Sequence, residues 1–199
     1  MSNSDVFAAM LGDKTTFRKQ FLRYRASLSP KLYADHSERM VKQLQELAAF
    51  EQAQTIMVYY PDLQRREVDL RPLIEKWHQA GKTLVLPYIT DMKNGMMHAV
   101  RFSADEVLKA NRWGVLEPVF PQTFPKDRIE AVLAPGLGVD KDGYRLGYGK
   151  GFYDRFLKHL AVPVVLATYQ DTIVHFLPRE IHDRPINLVI SEEGAFRIL

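Results

Sequence analysis

The residues best suited to chemistry lie together in one stretch, Pro135 to Arg155, PGLGVDKDGYRLGYGKGFYDR. It holds six glycines, with Gly147, Gly149 and Gly151 at alternate positions, so the backbone can approach a ligand closely and turn its N–H groups inward. Phosphate oxygens suit such a surface. Arg145 and Lys150 add positive charge, and a helix expected from about Gly151 would point the positive end of its dipole at the same place. Asp154 falls in the first turn of that helix. It reads either as a dipole partner or, beside a bound triphosphate, as the hard oxygen ligand that magnesium takes while keeping several waters. Asp183, in His182-Asp183-Arg184-Pro185, is a second candidate acid that spacing alone does not pair with it.

Familiar nucleotide loops do not fit this spacing. A P-loop needs Gly five residues before Gly149, where Tyr144 stands, and Ser or Thr after Lys150, where Gly151 stands. The dinucleotide fingerprint begun at Gly147 needs Gly where Phe152 stands. The bland alternative is a tight structural loop, against which the Lys, Arg and Asp favour a phosphate site. No Gly-x-Ser-x-Gly elbow occurs, and the six His show no His-Glu-x-x-His spacing, so they read as packing or solvent. Trp77 falls on a helical pattern and reads as core; Trp113, in a loop-like stretch, reads as core or as a platform for a flat ligand.

The chain of 199 residues is 46% hydrophobic and 26% charged, which excludes a disordered or collagen-like protein and fits one domain over residues 1–199. It has no Cys, hence no disulfide scaffold, no thiolate nucleophile and no Cys-ligated zinc. Neither a signal peptide in Met1 to Lys14 nor an apolar run long enough for a membrane span is seen, so a soluble cytoplasmic protein is expected. The net charge of +3 is too small to argue for nucleic acid, yet eight basic residues between Lys14 and Lys42 face only Asp35 and Glu38. That run is either a surface for an anionic partner or a solvated helix face.

The elements that must position these groups follow from caps and periodicity. Thr15 and Thr16 can cap a helix to about Leu28, and Ser29-Pro30 starts another whose stripe is Leu32, His36, Met40, Leu44 and Leu47. A strand is predicted over Thr55 to Tyr60, closed by Pro61, then a helix from about Asp69 to Gly81 and a strand from Thr83 to Tyr88. Asn94-Gly95 marks a turn before a strand from Met97 to Phe102. Ala131 to Ala134 is a short buried strand, followed by the glycine-rich loop, a helix over about Gly151 to Leu160, a strand over Val162 to Tyr169 and a last strand over Leu188 to Ser191. Such alternation implies an α/β fold with a mostly parallel sheet, helices on both faces and ligands at the carboxyl ends of the strands.

The segment Pro135 to Arg155 resembles the signature of the 5-formyltetrahydrofolate cyclo-ligase family, also called methenyltetrahydrofolate synthetases. The matching positions are Pro135, Gly136, Asp140, Gly143, Arg145, Leu146, Gly147, Gly149, Gly151, Tyr153 and Asp154. Lys14 and Arg18 resemble the family's opening Lys and Arg that meet nucleotide phosphates. Glu67-Val68-Asp69 resembles its folate-binding element, with Tyr60 lining the same pocket, and Pro178 to Ile190 resembles its later stretch, in which Asp183 matches a magnesium-associated acid. Asn187 stands where many members carry Asp.

The resemblance implies a three-layer fold of the kind shared with sugar-phosphate isomerases and CoA transferases. It implies an ATP- and magnesium-dependent ligase that converts 5-formyltetrahydrofolate to 5,10-methenyltetrahydrofolate, ADP and phosphate through a phosphorylated formyl oxygen. Lys150 and Arg145 would act on the transferring phosphate. Tyr60, Glu67, Tyr148 and Phe152 would meet the folate, and Lys14, Arg18 and the loop from Arg145 through Leu146, Gly147, Tyr148, Gly149, Lys150, Gly151 and Phe152 to Tyr153 would hold ATP. Asp154 and Asp183 would hold Mg2+. A monomer is expected, with no nucleic-acid or membrane partner. Two readings of other kinds stay open: a small-molecule kinase using the same loop, whose phosphorylated product would persist, and an RNA-binding module built on Lys14 to Lys42, whose affinity would fall steeply with salt.

Overall fold

The computed structural model describes residues 13–103, 105–111 and 114–198; residues 1–12 and Trp113, read above from sequence, lie outside them. Helix α1, Lys14–Ser27, is capped by Asp13 and not by Thr15 or Thr16: the Asp13 carboxylate accepts the Thr16 N–H at 2.7 Å. A charged acceptor one residue upstream leaves the two Thr inside the first turn. Helix α2, Pro30–Gln45, starts as expected, with Pro30 in its first turn and the Ser29 hydroxyl accepting the Leu32 N–H at 3.2 Å. Its buried side is Ser37, Met40, Val41 and Leu44. The apolar stripe is thus rotated from the expected one: Leu32 is exposed, and Leu47 lies beyond the helix, capping the short α3, Ala48–Gln52.

The elements that follow are β1 (Thr55–Met57), α4 (Arg71–Gln79), β2 (Thr83–Asp91), β3 (Met96–Phe102), β4 (Leu108–Ala110) and β5 (Leu116–Pro118). Then come β6 (Ala131–Ala134), β7 (Gly138–Asp140), β8 (Arg145–Leu146), α5 (Phe152–Leu157), β9 (Val164–Ala167), β10 (Ile173–Val174), β11 (Leu188–Ser191) and β12 (Gly194–Arg197). The main sheet has the order β12-β11-β9-β6-β1-β2-β3. Strands β11, β9, β6, β1 and β2 run parallel, and the edges β12 and β3 are antiparallel.

Strand residues alternate between the two faces, as the period of two requires. Ile56, Leu84, Leu86, Leu133, Val165 and Ile190 pack with Met40 and Leu44 of α2 and Leu73 and Trp77 of α4. Met57, Val85, Val132, Leu166 and Val189 pack with Phe156 and Leu157 of α5. Helices therefore cover both faces, and Trp77 is core, 5.0 Å ring to ring from Phe50.

Several boundaries differ from the pattern reading. Strand β1 ends at Met57; the Val58 N–H still reaches the Val85 carbonyl at 3.0 Å, but Tyr59 and Tyr60 have left the ladder. Helix α5 stops at Leu157, with His159 left-handed at φ 64°. Strand β9 is confined to four residues, and β12, an antiparallel edge, was not anticipated. The glycine-rich segment is not a plain loop either: β7 and β8 pair within it and join β10 in a three-stranded sheet. That sheet is held to α1 by a cluster of Phe17, Phe21, Leu137, Leu146 and Leu177.

The chain passes from β1 to β2 on one side and returns to β6 on the other. A crevice must open where the loops leaving β1 and β6 diverge, and this is where open α/β sheets take ligands. The loop after β1 carries Tyr60 and Glu67; the loop after β6 leads into the glycines.

Candidate functional site

A cleft of about 1330 Å³ opens at those strand ends, lined by Lys14, Arg18, Tyr60, Glu67, the loop from Arg145 to Tyr153, Asp154 and Asp183. One wall is the loop from Gly147 to Gly151. Gly149 and Gly151 have φ of 95° and 66°, left-handed backbone that a side chain would strain. The Arg18 guanidinium fills the space a Gly149 side chain would need, within 3.1 Å of its Cβ position, and Arg18 Nε donates to the Gly147 carbonyl at 2.9 Å. Lys150 is exposed on the cleft, and its ammonium has no hydrogen-bond or ion-pair partner among the described residues. Leu146 borders the cleft while its side chain is buried against α1. Helix α5 has only six residues, so the positive potential here comes from side chains more than from a helix dipole.

Two residues that the sequence reading missed brace this loop. Arg155 of α5 donates to the Lys150 carbonyl at 2.7 Å. Gly95, in the β2–β3 turn at φ 65°, lies so close that a Cβ there would overlap Arg155 Nη1 and come within 2.8 Å of the Lys150 carbonyl. Its only sequence signal was the Asn-Gly turn.

The acids are brought together with cations. Arg145 is nearly fully buried, its side chain 3% exposed, and its guanidinium lies 3.1 Å from Asp154 Oδ1, donates to the Arg184 carbonyl at 3.2 Å and stacks 5.8 Å from the Tyr153 ring. Its charge is thus matched by Asp154, and it orients that carboxylate. Asp183 accepts from Lys14 at 2.7 Å and from the Glu180 N–H at 2.7 Å, while Lys14 also pairs with Glu180 at 2.9 Å. Burial alone would lower the Lys14 ammonium, but its bonds to Asp183 and Glu180 hold it above its ordinary value, and the same bond keeps Glu180 low. Among the described residues no group of three or more His, Cys, Asp or Glu gathers as a metal site. A hard cation here would take one or two carboxylates and complete its shell from phosphate and water, the habit of magnesium. Asn187 is engaged elsewhere, its side-chain oxygen accepting the Val164 N–H at 2.8 Å.

The opposite wall is polar at one point. Residues 62–67 curl back on themselves: Asp62 accepts the Gln64 and Arg65 N–H groups, Arg66 is left-handed at φ 50°, and the Glu67 N–H reaches the Asp62 carbonyl at 3.1 Å. The Tyr33 hydroxyl fixes the Glu67 carbonyl at 2.8 Å. Glu67 ends up 8% exposed, one carboxylate oxygen accepting the Asp62 N–H at 2.9 Å and the other the Tyr148 hydroxyl at 2.8 Å. Arg65 lies over the Tyr148 ring at 5.3 Å. Burial, then the Glu67 charge, pushes the Tyr148 phenol above its ordinary range, so it stays a donor. Tyr60 packs edge-on to Phe102 at 6.1 Å, Phe152 lies against the core beneath α5, and the buried Tyr153 hydroxyl has no hydrogen-bond partner among the described residues.

The basic run from Lys14 to Lys42 does not form one stripe. Lys14 and Arg18 face the cleft, Arg25 is buried at 2% exposure and donates to the Gly136 carbonyl, and Arg39 pairs with Asp35 at 3.1 Å. The arrangement as a whole is a cationic glycine loop and a buried carboxylate facing each other across one cleft, suited to a polyanion beside a neutral, donor-bearing ring.

The profile of the 5-formyltetrahydrofolate cyclo-ligase family matches residues 11–192. The 5-formyltetrahydrofolate cyclo-ligase of Escherichia coli K12 is 30% identical over 166 residues, 75% of this chain and 90% of that protein. The mouse enzyme of that name is 29% identical over 189 residues, 85% of this chain and 92% of that one. Among solved structures, the 5,10-methenyltetrahydrofolate synthetase of Aquifex aeolicus superposes with a TM-score of 0.80 at 30% identity, covering 93% of this chain and 92% of that one. The Mycoplasma pneumoniae synthetase does so with a TM-score of 0.74 at 25% identity, covering 91% and 99%.

Proposed function

The chain belongs to the 5-formyltetrahydrofolate cyclo-ligase family, and from that membership we propose that it uses ATP to close 5-formyltetrahydrofolate to 5,10-methenyltetrahydrofolate, releasing ADP and phosphate. The observation that carries the reading is the pairing, in one cleft, of the glycine loop and its cations with the buried Glu67 carboxylate. The loop amides with Lys150, Arg18 and Lys14 hold the triphosphate, Tyr60, Phe152 and Glu67 hold the folate, and the Tyr148 hydroxyl holds the Glu67 carboxylate.

In the first step the bond from the terminal phosphorus to ADP breaks as one forms to the formyl oxygen. In the second, the folate nitrogen N10 attacks the activated formyl carbon and gives up its proton. Phosphate then leaves with the former formyl oxygen. An amide oxygen is a poor leaving group until phosphorylated, and phosphoryl transfer asks the protein for positioning and charge neutralisation more than for a nucleophile. That fits a cleft in which Lys150 is unpaired among the described residues, in a chain without Cys. Asp154 and Asp183 are the residues that would hold Mg2+, whose chemistry when bound is to neutralise charge on the phosphates. Arg145 positions Asp154, and Lys14 shares Asp183. We propose, as the family resemblance implies, that the layered sheet is of the kind shared with sugar-phosphate isomerases and CoA transferases.

The test is incubation with ATP, magnesium and 5-formyltetrahydrofolate while near-ultraviolet absorption of the methenyl product is followed. Product is expected only when nucleotide and divalent cation are both present. A persistent phosphorylated folate with no ring closure would make the protein a kinase instead, and turnover unchanged by chelator would remove the metal from the scheme.

A further inference from the structure

We propose that Tyr148 is a positioning residue that couples the two halves of the cleft, so that nucleotide held by the glycine loop raises the affinity for folate at Glu67; this rests on the functional reading above. Tyr148 belongs to the nucleotide wall, set between Gly147, whose carbonyl accepts from Arg18, and Gly149, against which the Arg18 guanidinium lies. Its hydroxyl nevertheless reaches across the crevice to Glu67, 81 residues earlier in the chain, at 2.8 Å. The other Glu67 oxygen is held at 2.9 Å by the Asp62 N–H of the folate wall. One carboxylate is therefore gripped from both sides, by a backbone amide of its own loop and by a side chain whose position follows the phosphate loop.

The flanking glycines give the loop conformational freedom that a bound triphosphate removes. With the loop filled, the Tyr148 hydroxyl is fixed, and with it the plane of the Glu67 carboxylate. The lone pairs that remain on Glu67 then meet the folate's paired donors, the pterin amino group and the ring N–H beside it, already oriented, and less freedom is lost when folate binds. Linkage makes the effect reciprocal, so folate raises nucleotide affinity by the same factor.

The experiment is calorimetric titration of 5-formyltetrahydrofolate into the whole protein, with and without the non-hydrolysable imido analogue of ATP plus magnesium. For the wild type we expect the analogue to lower the folate Kd by about tenfold, within the usual range of coupling between sites. In Tyr148→Phe, which keeps the ring beneath Arg65, the factor should fall below about twofold. Direct contact between the ligands would survive in Tyr148→Phe, so an equal factor in the two proteins overturns the proposal, as does no coupling in the wild type. Hydrogen exchange on the wild type gives a second readout that needs no variant. The analogue alone should slow exchange of the Asp62 and Glu67 amides, and unaltered exchange would refute the coupling. Folate that binds without coupling overturns this inference only, whereas a wild type that binds no folate overturns the functional reading with it.

Discussion

Asp140 is fully buried and makes four hydrogen bonds with two oxygens. Oδ1 accepts the Asp142 and Tyr144 N–H groups at 3.0 and 2.9 Å, closing the turn between β7 and β8. Oδ2 accepts the Leu177 N–H and Arg179 Nη2, both at 3.1 Å, tying that turn to the chain after β10. Asp140→Asn keeps the size and the first oxygen but turns an NH2 toward two donors. Leu177 is buried, so its stranded N–H costs about 1 to 3 kcal/mol. Arg179 is partly exposed and keeps Asp142, so its loss is about 1 kcal/mol. The sum, about 3 kcal/mol, lowers Tm by about 6 to 12 °C for a chain of this length. Thermal unfolding checks it, together with urea unfolding in which the midpoint falls at constant slope. The hairpin also delivers Arg145 to the cleft, so KM for ATP should rise. A Tm drop under about 2 °C would mean that Oδ2 is not the acceptor the geometry makes it.

Glu67→Gln should weaken folate binding by about tenfold or more, because an amide donor would oppose the ligand's own donors; nucleotide affinity should hardly change, and calorimetry with each ligand decides. Lys150→Ala should cost about 2 to 4 kcal/mol of transition-state stabilisation, read as kcat/KM for ATP, and an unchanged value would remove Lys150 from the phosphate site. Asp154→Asn leaves the buried Arg145 without its counter-ion and should lower stability by about 3 kcal/mol. It should also raise the magnesium requirement, and normal activity across a magnesium titration would leave Asp154 a counter-ion only. Gly95→Ala should raise KM for ATP severalfold by pressing on the Lys150 carbonyl, with unaltered kinetics showing that the β2–β3 turn does not brace the loop.

The features legible in the sequence were those whose physics is local. Ser29 and Pro30 start a helix by bonds within one turn, and Trp77 and the buried strands follow from periodicity. The glycines at 147, 149 and 151 marked a loop that the structure sets on the cleft, where two of them adopt backbone that side chains resist. What periodicity could not resolve were strands of two to four residues, β7, β8, β10 and β12, too short to show a pattern and formed only because partners were at hand. Nor could it set the rotation of α2, where Val41 and not Leu32 turns inward because the sheet beneath selects the face. Residue types named Arg145, Asp154 and Asp183 as candidates, and the family resemblance added Lys14. Tertiary structure alone paired Lys14 with Asp183 and Arg145 with Asp154, and set Tyr148 against Glu67. The last of these contacts exists because β6 returns beside β1, so the loops that leave the two strands meet at one crevice and join residues far apart in the chain.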